Sequence, residues 1–187
     1  MDRKQSIKFV SGNKGKLAEV QAFLPFVIGA SLDLPEIQDV NPHTVVSHKL
    51  VSAATKLEGP ILVDDTALYL DCFASKTGDV DLPGPFIKWF LKTITNKGLA
   101  DMACELGKTG ARASTIIGYF DGRGNSKFFE GSVSGTIVQP QGTSGFGWDH
   151  IFVPCGQTQT FARMGIEKKN RISPRAHALA KLKDFLL

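Results

Sequence analysis

Two adjacent carboxylates and a hydroxyl, Asp64-Asp65-Thr66, follow the apolar run Ile61-Leu62-Val63. Carboxylates at a strand end suit magnesium, a hard cation that binds through one or two of them and keeps several waters. Side chains alternate along a strand, so the two aspartates should face opposite ways. One would bind a cation while the other orients it or caps a neighbouring loop. The competing reading is a turn with helix-capping aspartates, and Glu36 by itself is an ordinary loop acid. Ser11-Gly12-Asn13-Lys14-Gly15-Lys16 offers different chemistry. Between a strand and a helix, free backbone N–H groups and close-approaching glycines make an anion site, and lysine adds a compact charge. The spacing departs from the G-x-x-x-x-G-K-[S/T] phosphate loop. Its alternative is a glycine–asparagine turn with solvated lysines.

Phe146-Gly147-Trp148-Asp149 places two rings and an acid in a glycine-rich loop. Rings can stack a flat base, and an acid can accept from base N–H groups. The alternative is a core-anchored loop with Trp148 simply buried. Ser173-Pro174-Arg175 reads as a helix N-cap, a proline at the first helical position and a first-turn arginine. Arginine there faces the unfavourable end of the helix dipole, a misfit that points to a role for Arg175. Its planar fork only donates, so it suits a ligand edge that offers paired acceptors. Lys49 sits beside the apolar edge of its helix, where a solvated lysine is the plain reading. His43, His48, His150 and His177 show no metal spacing.

The elements that would carry these groups follow from hydrophobic period and breakers. Ile7, Phe9 and Val10 predict a short strand, Lys16 to Phe26 a helix with its stripe at Leu17, Val20, Phe23 and Leu24, and Phe26 to Leu34 a second strand. Asn41-Pro42 predicts a capped helix reaching about Leu57, which Gly59-Pro60 stops. Ile61 to Val63 is a short buried strand. Pro85 to Leu91 and Leu99 to Leu106 predict two further helices. Ala111 to Phe120, the turn Asp121-Gly122-Arg123-Gly124 and Ser126 to Val138 predict a long hairpin. Ile151 to Val153 is a strand, and Ser173-Pro174 opens a last helix with its stripe at Leu179, Leu182 and Leu186. This is a mixed α/β chain with helices flanking a sheet.

With 187 residues, 42% of them hydrophobic and 21% charged, residues 1–187 fit one domain that buries its own core. No apolar run approaches a membrane span, and the charged, polar stretch Met1 to Ile7 differs from a secretory signal. Cys72, Cys104 and Cys155 are odd in number and form no C-x-x-C pair, which points away from disulfides and thiolate zinc and towards a cytoplasmic setting. The net charge of +4 favours anionic partners. A basic RNA-binding module is one such class, but the rings lack a strand-borne stacking pattern.

Taken in order, these stretches resemble the inosine triphosphate pyrophosphatases, also called Ham1-like proteins. The matching residues are Ser11-Gly12-Asn13 with Lys16-Leu17 and Glu19-Val20, Leu34-Pro35-Glu36, and Val63-Asp64-Asp65-Thr66. They continue with Leu82-Pro83-Gly84-Pro85, Ile87-Lys88-Trp89-Phe90, Phe146-Gly147-Trp148-Asp149, Glu167 to Asn170, and Ser173 with Arg175. The proline-rich stretch looks like the eukaryotic branch. The resemblance implies an α/β fold with a long central mixed β-sheet flanked by helices in two lobes and a nucleotide cleft between them. It implies a homodimer, magnesium with manganese as a substitute, and no nucleic-acid or membrane partner. The implied activity removes ITP, dITP and XTP from the nucleotide pool by cleavage to the monophosphate and pyrophosphate. The runner-up is a pyrophosphatase for other modified or pyrimidine nucleotides. Ser11, Gly12, Asn13 and Lys16 would hold the phosphates, with Lys49, Thr66 and Lys88 nearby. Glu36 and Asp65 would bind the metal. Lys16, Asp64 and Asp65 would serve catalysis, with the choice of general base between the two aspartates open. Phe146, Gly147, Trp148, Asp149, Lys169, Ser173 and Arg175 would form the base pocket. One departure stands out: Pro174 occupies the place of a histidine in the family's Ser-His-Arg.

Overall fold

A computed structural model of the chain describes residues 6–78 and 80–187, so most of the polar opening Met1 to Ile7 lies outside it. The elements run β1 (Lys8–Val10), α1 (Lys14–Phe23), β2 (Ile28–Ala30), α2 (Pro42–Ala54), β3 (Ile61–Leu70), β4 (Pro83–Gly84) and α3 (Ile87–Glu105). They continue with β5 (Gly110–Phe120), β6 (Ser126–Ile137), β7 (Phe152–Pro154), α4 (Phe161–Met164), α5 (Ile166–Ile172) and α6 (Pro174–Leu186). Among the described residues seven strands form one mixed sheet in the order β2-β1-β3-β5-β6-β7, with β4 paired to β3. β1 runs parallel to β2 and β3, and the other pairings are antiparallel.

The largest departure from expectation lies in β3. The run Ile61-Leu62-Val63 does not stop at Asp64; the strand passes through Asp64-Asp65-Thr66 and on to Leu70. Strand β5 pairs with all of it, from Ile61 opposite Phe120 to Leu70 opposite Ala111. A polar triplet in the middle of a central strand splits the core in two. On one side Leu62 packs with Phe9, Val20, Leu179 and Leu182 under α1 and α6, while Ile61 and Val63 pack with Val46, Leu50 and Ala53 of α2. On the other side Leu68 and Leu70 pack with Leu99, Trp148, Phe152 and Phe161. The two lobes are these two ends of one sheet, and the polar triplet lies at the waist.

Other boundaries shift for local reasons. α1 starts at Lys14, earlier than expected, because Asn13 is its N-cap and accepts from the Lys16 amide. β2 covers only Ile28–Ala30, since β1 offers three residues to pair with. The two helices expected over 85–106 form one element, α3, broken at Thr95. Two short helices, α4 and α5, lack the apolar period that would have revealed them. The caps at Asn41-Pro42 and Ser173-Pro174 form as expected, with Ser173 accepting from the Ala176 amide. Among the described residues no helix is long and apolar enough to cross a membrane.

α6 carries Ser173 and Arg175 to the waist by lying directly on β6. A Cβ at Gly131 would come within 2.1 Å of the Pro174 carbonyl oxygen and 2.6 Å of the Ala178 nitrogen, both backbone atoms. Only glycine permits that approach. Gly131→Ala should therefore lift the helix and cost about 1–3 kcal/mol by overpacking. In a chain of this size that lowers Tm by roughly 3–10 °C, read by thermal unfolding. An unchanged Tm would show that α6 is not held against β6 in this way.

Candidate active site

Every residue singled out above as a site candidate lines one cleft at the waist, of about 780 Å³. That volume suits a nucleotide-sized ligand. One end is built by the β1–α1 turn. The Ser11 hydroxyl accepts from the Asn13 amide at 3.2 Å, and the Asn13 side chain accepts from the Lys16 amide at 3.1 Å. These bonds shape the turn, and the first amides of α1 have no intrahelical partners, the usual condition for an anion site. Gly15 is required here because the Phe146 ring would lie 2.6 Å from a Cβ. The loop that closes the base end thus rests on the turn of the phosphate end.

The two aspartates of β3 do face opposite sides of the sheet. Asp64 points towards α1 and α6, 3.0 Å from Lys16 Nζ and 2.8 Å from Arg175 Nη2. Burial works to raise its carboxyl, but Lys16 and Arg175 outweigh that and hold it well below the usual carboxylate range. Asp65 points towards α2, with Oδ1 3.0 Å from Lys49 Nζ. Burial dominates there and pushes the carboxyl up, against the pull of Lys49 and Lys16. Two neighbouring carboxylates are therefore driven in opposite directions. One is a permanently ionised partner for cations. The other, partly buried and paired with Lys49, is held as a weaker acid.

Lys49 also lies 3.2 Å from Glu36 Oε1, and Lys88 lies 2.8 Å from Glu36 Oε2. Burial would raise Glu36, but the bonds from Lys88 and Lys49 bring it down to about 2. Lys49 is pulled the other way: burial would lower it, and Asp65, Glu36 and Asp64 raise it. Among the described residues no three His, Cys, Asp or Glu side chains gather as a metal site. Glu36 and Asp65 nevertheless approach one cationic nitrogen from separate elements. Two hard carboxylates that converge on a cation fit a magnesium-type ion, which completes its shell with waters and substrate phosphates.

The far end of the cleft is a chain of buried charges. Asp149 accepts from the Phe146 amide at 2.9 Å and from Lys169 Nζ at 2.5 Å. Burial raises the Asp149 carboxyl despite Lys169. Lys169 also lies 2.8 Å from Glu19 Oε1 and 4.2 Å from the centre of the Phe146 ring. Glu19 in turn pairs with Arg175 Nη1. Arg175 is 4% exposed: Nε and Nη2 donate to Asp64 Oδ2, and Nη2 also donates to Thr66 Oγ1. Four of its five donors are thereby engaged. A two-pronged grip of Arg175 on a purine edge is not available in this arrangement; one Nη1–H remains. Trp148 is also not a stacking face, since it is 8% exposed and packs edge-on against Phe152 at 5.3 Å. Ser173 lines the cleft while its hydroxyl caps α6.

Glu19 is the functional residue that the sequence reading left without a role. It is buried at 1% exposure on α1 and joins Lys169 to Arg175. The available signal was an acid one turn after Lys16, on the face the helix buries. Gln38 was also passed over. Its Oε1 accepts from Trp89 Nε1 at 2.6 Å, so that with Lys88 and Glu36 the loop before α2 is clasped to α3 across the cleft mouth.

This architecture recurs in known proteins. The profile of the Ham1 family matches residues 7–185. The inosine triphosphate pyrophosphatase of Batrachochytrium dendrobatidis is 43% identical, over 97% of this chain and 94% of its own length. That of Scheffersomyces stipitis is 41% identical, over 97% and 98%. Among solved structures, a HAM1 protein from Coxiella burnetii superposes with a TM-score of 0.76 at 24% identity, covering 96% of this chain and 97% of that one. The nucleoside-triphosphatase, dITP/XTP pyrophosphatase, of Mycobacterium abscessus superposes at 0.66 with 27% identity, covering 94% and 97%. With a full-length profile match, relatives above 40% identity and the same open mixed sheet, the chain belongs to the Ham1 family.

Proposed function

We propose that this chain is a pyrophosphohydrolase that converts ITP, dITP and XTP to the monophosphate and pyrophosphate. The observation that carries this reading is a single cleft with lysine–carboxylate pairs at one end and a buried acid–lysine chain beside Phe146 at the other. The relatives carry the name inosine triphosphate pyrophosphatase. The chain works as one domain and a cytoplasmic homodimer, with no membrane or nucleic-acid partner. Glu36 and Asp65 would hold magnesium, or manganese in its place.

The phosphate end works by exchange of partners. Lys16, Lys49 and Lys88 are each neutralised by a carboxylate. A triphosphate draws these lysines onto its oxygens, which would free Glu36 and Asp65 to hold a divalent cation. That ion supplies charge neutralisation and orientation of the phosphates. The α1 amides and Lys16 hold the phosphates in line. One of the two aspartates accepts the proton of the water that attacks the α-phosphorus. The lysines stabilise charge growing on the departing pyrophosphate.

The base end selects by leftover donors. Lys169 and Arg175 each keep an N–H beyond their carboxylate partners. A 6-oxo purine accepts such a hydrogen bond, while the amino group of adenine opposes it and leaves a buried donor unpaired. Phe146, ringed by these cations, covers the base.

Product analysis tests the bond cut. ITP should yield IMP and pyrophosphate in equal amounts, and release of IDP with orthophosphate would refute the assignment. The two aspartates should separate when replaced. Asp65→Asn leaves Lys49 with Glu36, so the fold persists while kcat falls about 10²–10⁴-fold. Asp64→Asn strips the main partner from buried Arg175 and Lys16 and costs about 3–5 kcal/mol in urea unfolding. Equal stability losses for the two would contradict the division of labour.

Arg175→Lys keeps a charge beside Asp64 but loses the fork. It should narrow the ITP:ATP ratio of kcat/KM by roughly tenfold, in line with one base-reading contact. An unchanged ratio would remove Arg175 from base selection.

A further inference from the structure

Within α3 one residue leaves helical geometry: Thr95, at φ 63 and ψ 177. It is the one non-glycine residue with positive φ among those described. For a β-branched residue that region is an outlier, and strain of this kind persists where the surroundings impose it. The break has a consequence one residue later. In an unbroken helix the 3.6-residue period dictates where position 96 points. After the left-handed residue the direction is reset, and Asn96 Nδ2 donates to the carbonyl oxygen of Gly147 at 2.9 Å, a residue 51 positions away. The Asn96 Oδ1 is buried and finds no hydrogen-bond partner among the described residues. An amide that gives up one of its bonds inside the protein while keeping the other marks the kept bond as the one the geometry serves.

Gly147 sits in the middle of the loop that forms the base end, itself left-handed at φ 61. Its neighbours are anchored from the other side of the cleft. Phe146 lies over Lys169, Trp148 is packed in the core beside Phe152, and Asp149 is bound to Lys169. Asn96 holds the same loop from the α3 side. The first half of α3 carries Lys88 and Trp89, which clasp Glu36 and Gln38 at the phosphate end. One helix with a break thus reaches both ends of the cleft.

Resting on the nucleotide-hydrolase reading above, we infer that Asn96 is a positioning residue for the base end: by holding the Gly147 carbonyl it sets the pose of Phe146 and Asp149, and Thr95 carries the backbone strain that delivers it. Asn96 does not line the cleft, so it acts through Gly147 alone. Its loss should weaken what grips the base and spare what grips the phosphates.

Calorimetric titration with IMP and, separately, with pyrophosphate tests this on wild type, Asn96→Ala and Asn96→Asp. The aspartate keeps the shape but cannot donate to a carbonyl. Both variants should bind IMP about three- to tenfold more weakly, the worth of one neutral hydrogen bond. Their pyrophosphate affinity should stay within about twofold of wild type on the same grounds. KM for ITP should rise with the IMP dissociation constant while kcat holds. Equal weakening towards IMP and pyrophosphate would reduce Asn96 to a general stabiliser and overturn the inference, as would wild-type IMP affinity in either variant. Failure of IMP to bind the wild-type chain overturns the proposed function and this inference together, whereas wild-type binding with unaffected variants overturns the inference alone.

Discussion

The carboxylate of Asp64 is the group on which the arrangement of the cleft depends. It is buried in the waist of the sheet, where an ionised acid is tolerable only if cations meet it. Lys16 arrives from α1 and Arg175 from α6, elements separated by most of the chain. Once Arg175 is fixed there, Glu19 must neutralise its other edge, Lys169 must neutralise Glu19, and Asp149 must meet Lys169. A single desolvated charge in β3 therefore specifies the relative placement of α1, α5, α6 and the Phe146–Asp149 loop. A buried network of this sort adds little net stability compared with apolar packing. What it contributes is a defined geometry: any member out of place leaves a charge uncompensated.

The same bookkeeping of charge separates the two ends of the cleft. At the base end the charged partners are buried in one connected network, in which Glu19 Oε1 stands 2.8 Å from Lys169 without a hydrogen-bond partner among the described residues. At the phosphate end the pairs are more open. Glu36 is 43% exposed and Lys88 55%, and both belong to segments that meet across the mouth. Exposed ion pairs are worth little and exchange partners readily. A preformed base pocket beside an adaptable phosphate end suits an enzyme that must reject most purines by fit yet rearrange around a triphosphate and its metal. Alternation along β3 makes the division possible, because Asp64 and Asp65 are adjacent in sequence yet belong to opposite faces and different networks.

Much of this was legible in the residues. The caps at Asn41 and Ser173, the β5–β6 hairpin and the cleft residues all rest on local chemistry that tertiary contacts reinforce. Two kinds of feature were not. The course of β3 was hidden because Asp64-Asp65-Thr66 carries the composition of a turn; only pairing with β5 over its whole length shows it as strand. The role of Glu19 was hidden because its partners, Lys169 and Arg175, are about 150 residues distant and no periodicity links them. Thr95 belongs with these: a threonine in a helix-length segment gives no sign of a left-handed turn.

The network also alters what Arg175 can mean for selectivity. Read alone, a first-turn arginine in a nucleotide site suggests a fork laid against a purine edge. In place, most of that fork is spent on Asp64, Thr66 and Glu19, which leaves one Nη1–H. On the proposed reading, discrimination then comes less from one bidentate contact than from the spare N–H groups of Arg175 and Lys169. Such donors meet a keto oxygen at purine position 6 and oppose the amino group of adenine there. Acceptance of hypoxanthine and xanthine over adenine, on the same reading, thus rests on the donors that the Asp64–Arg175–Glu19–Lys169–Asp149 network leaves over.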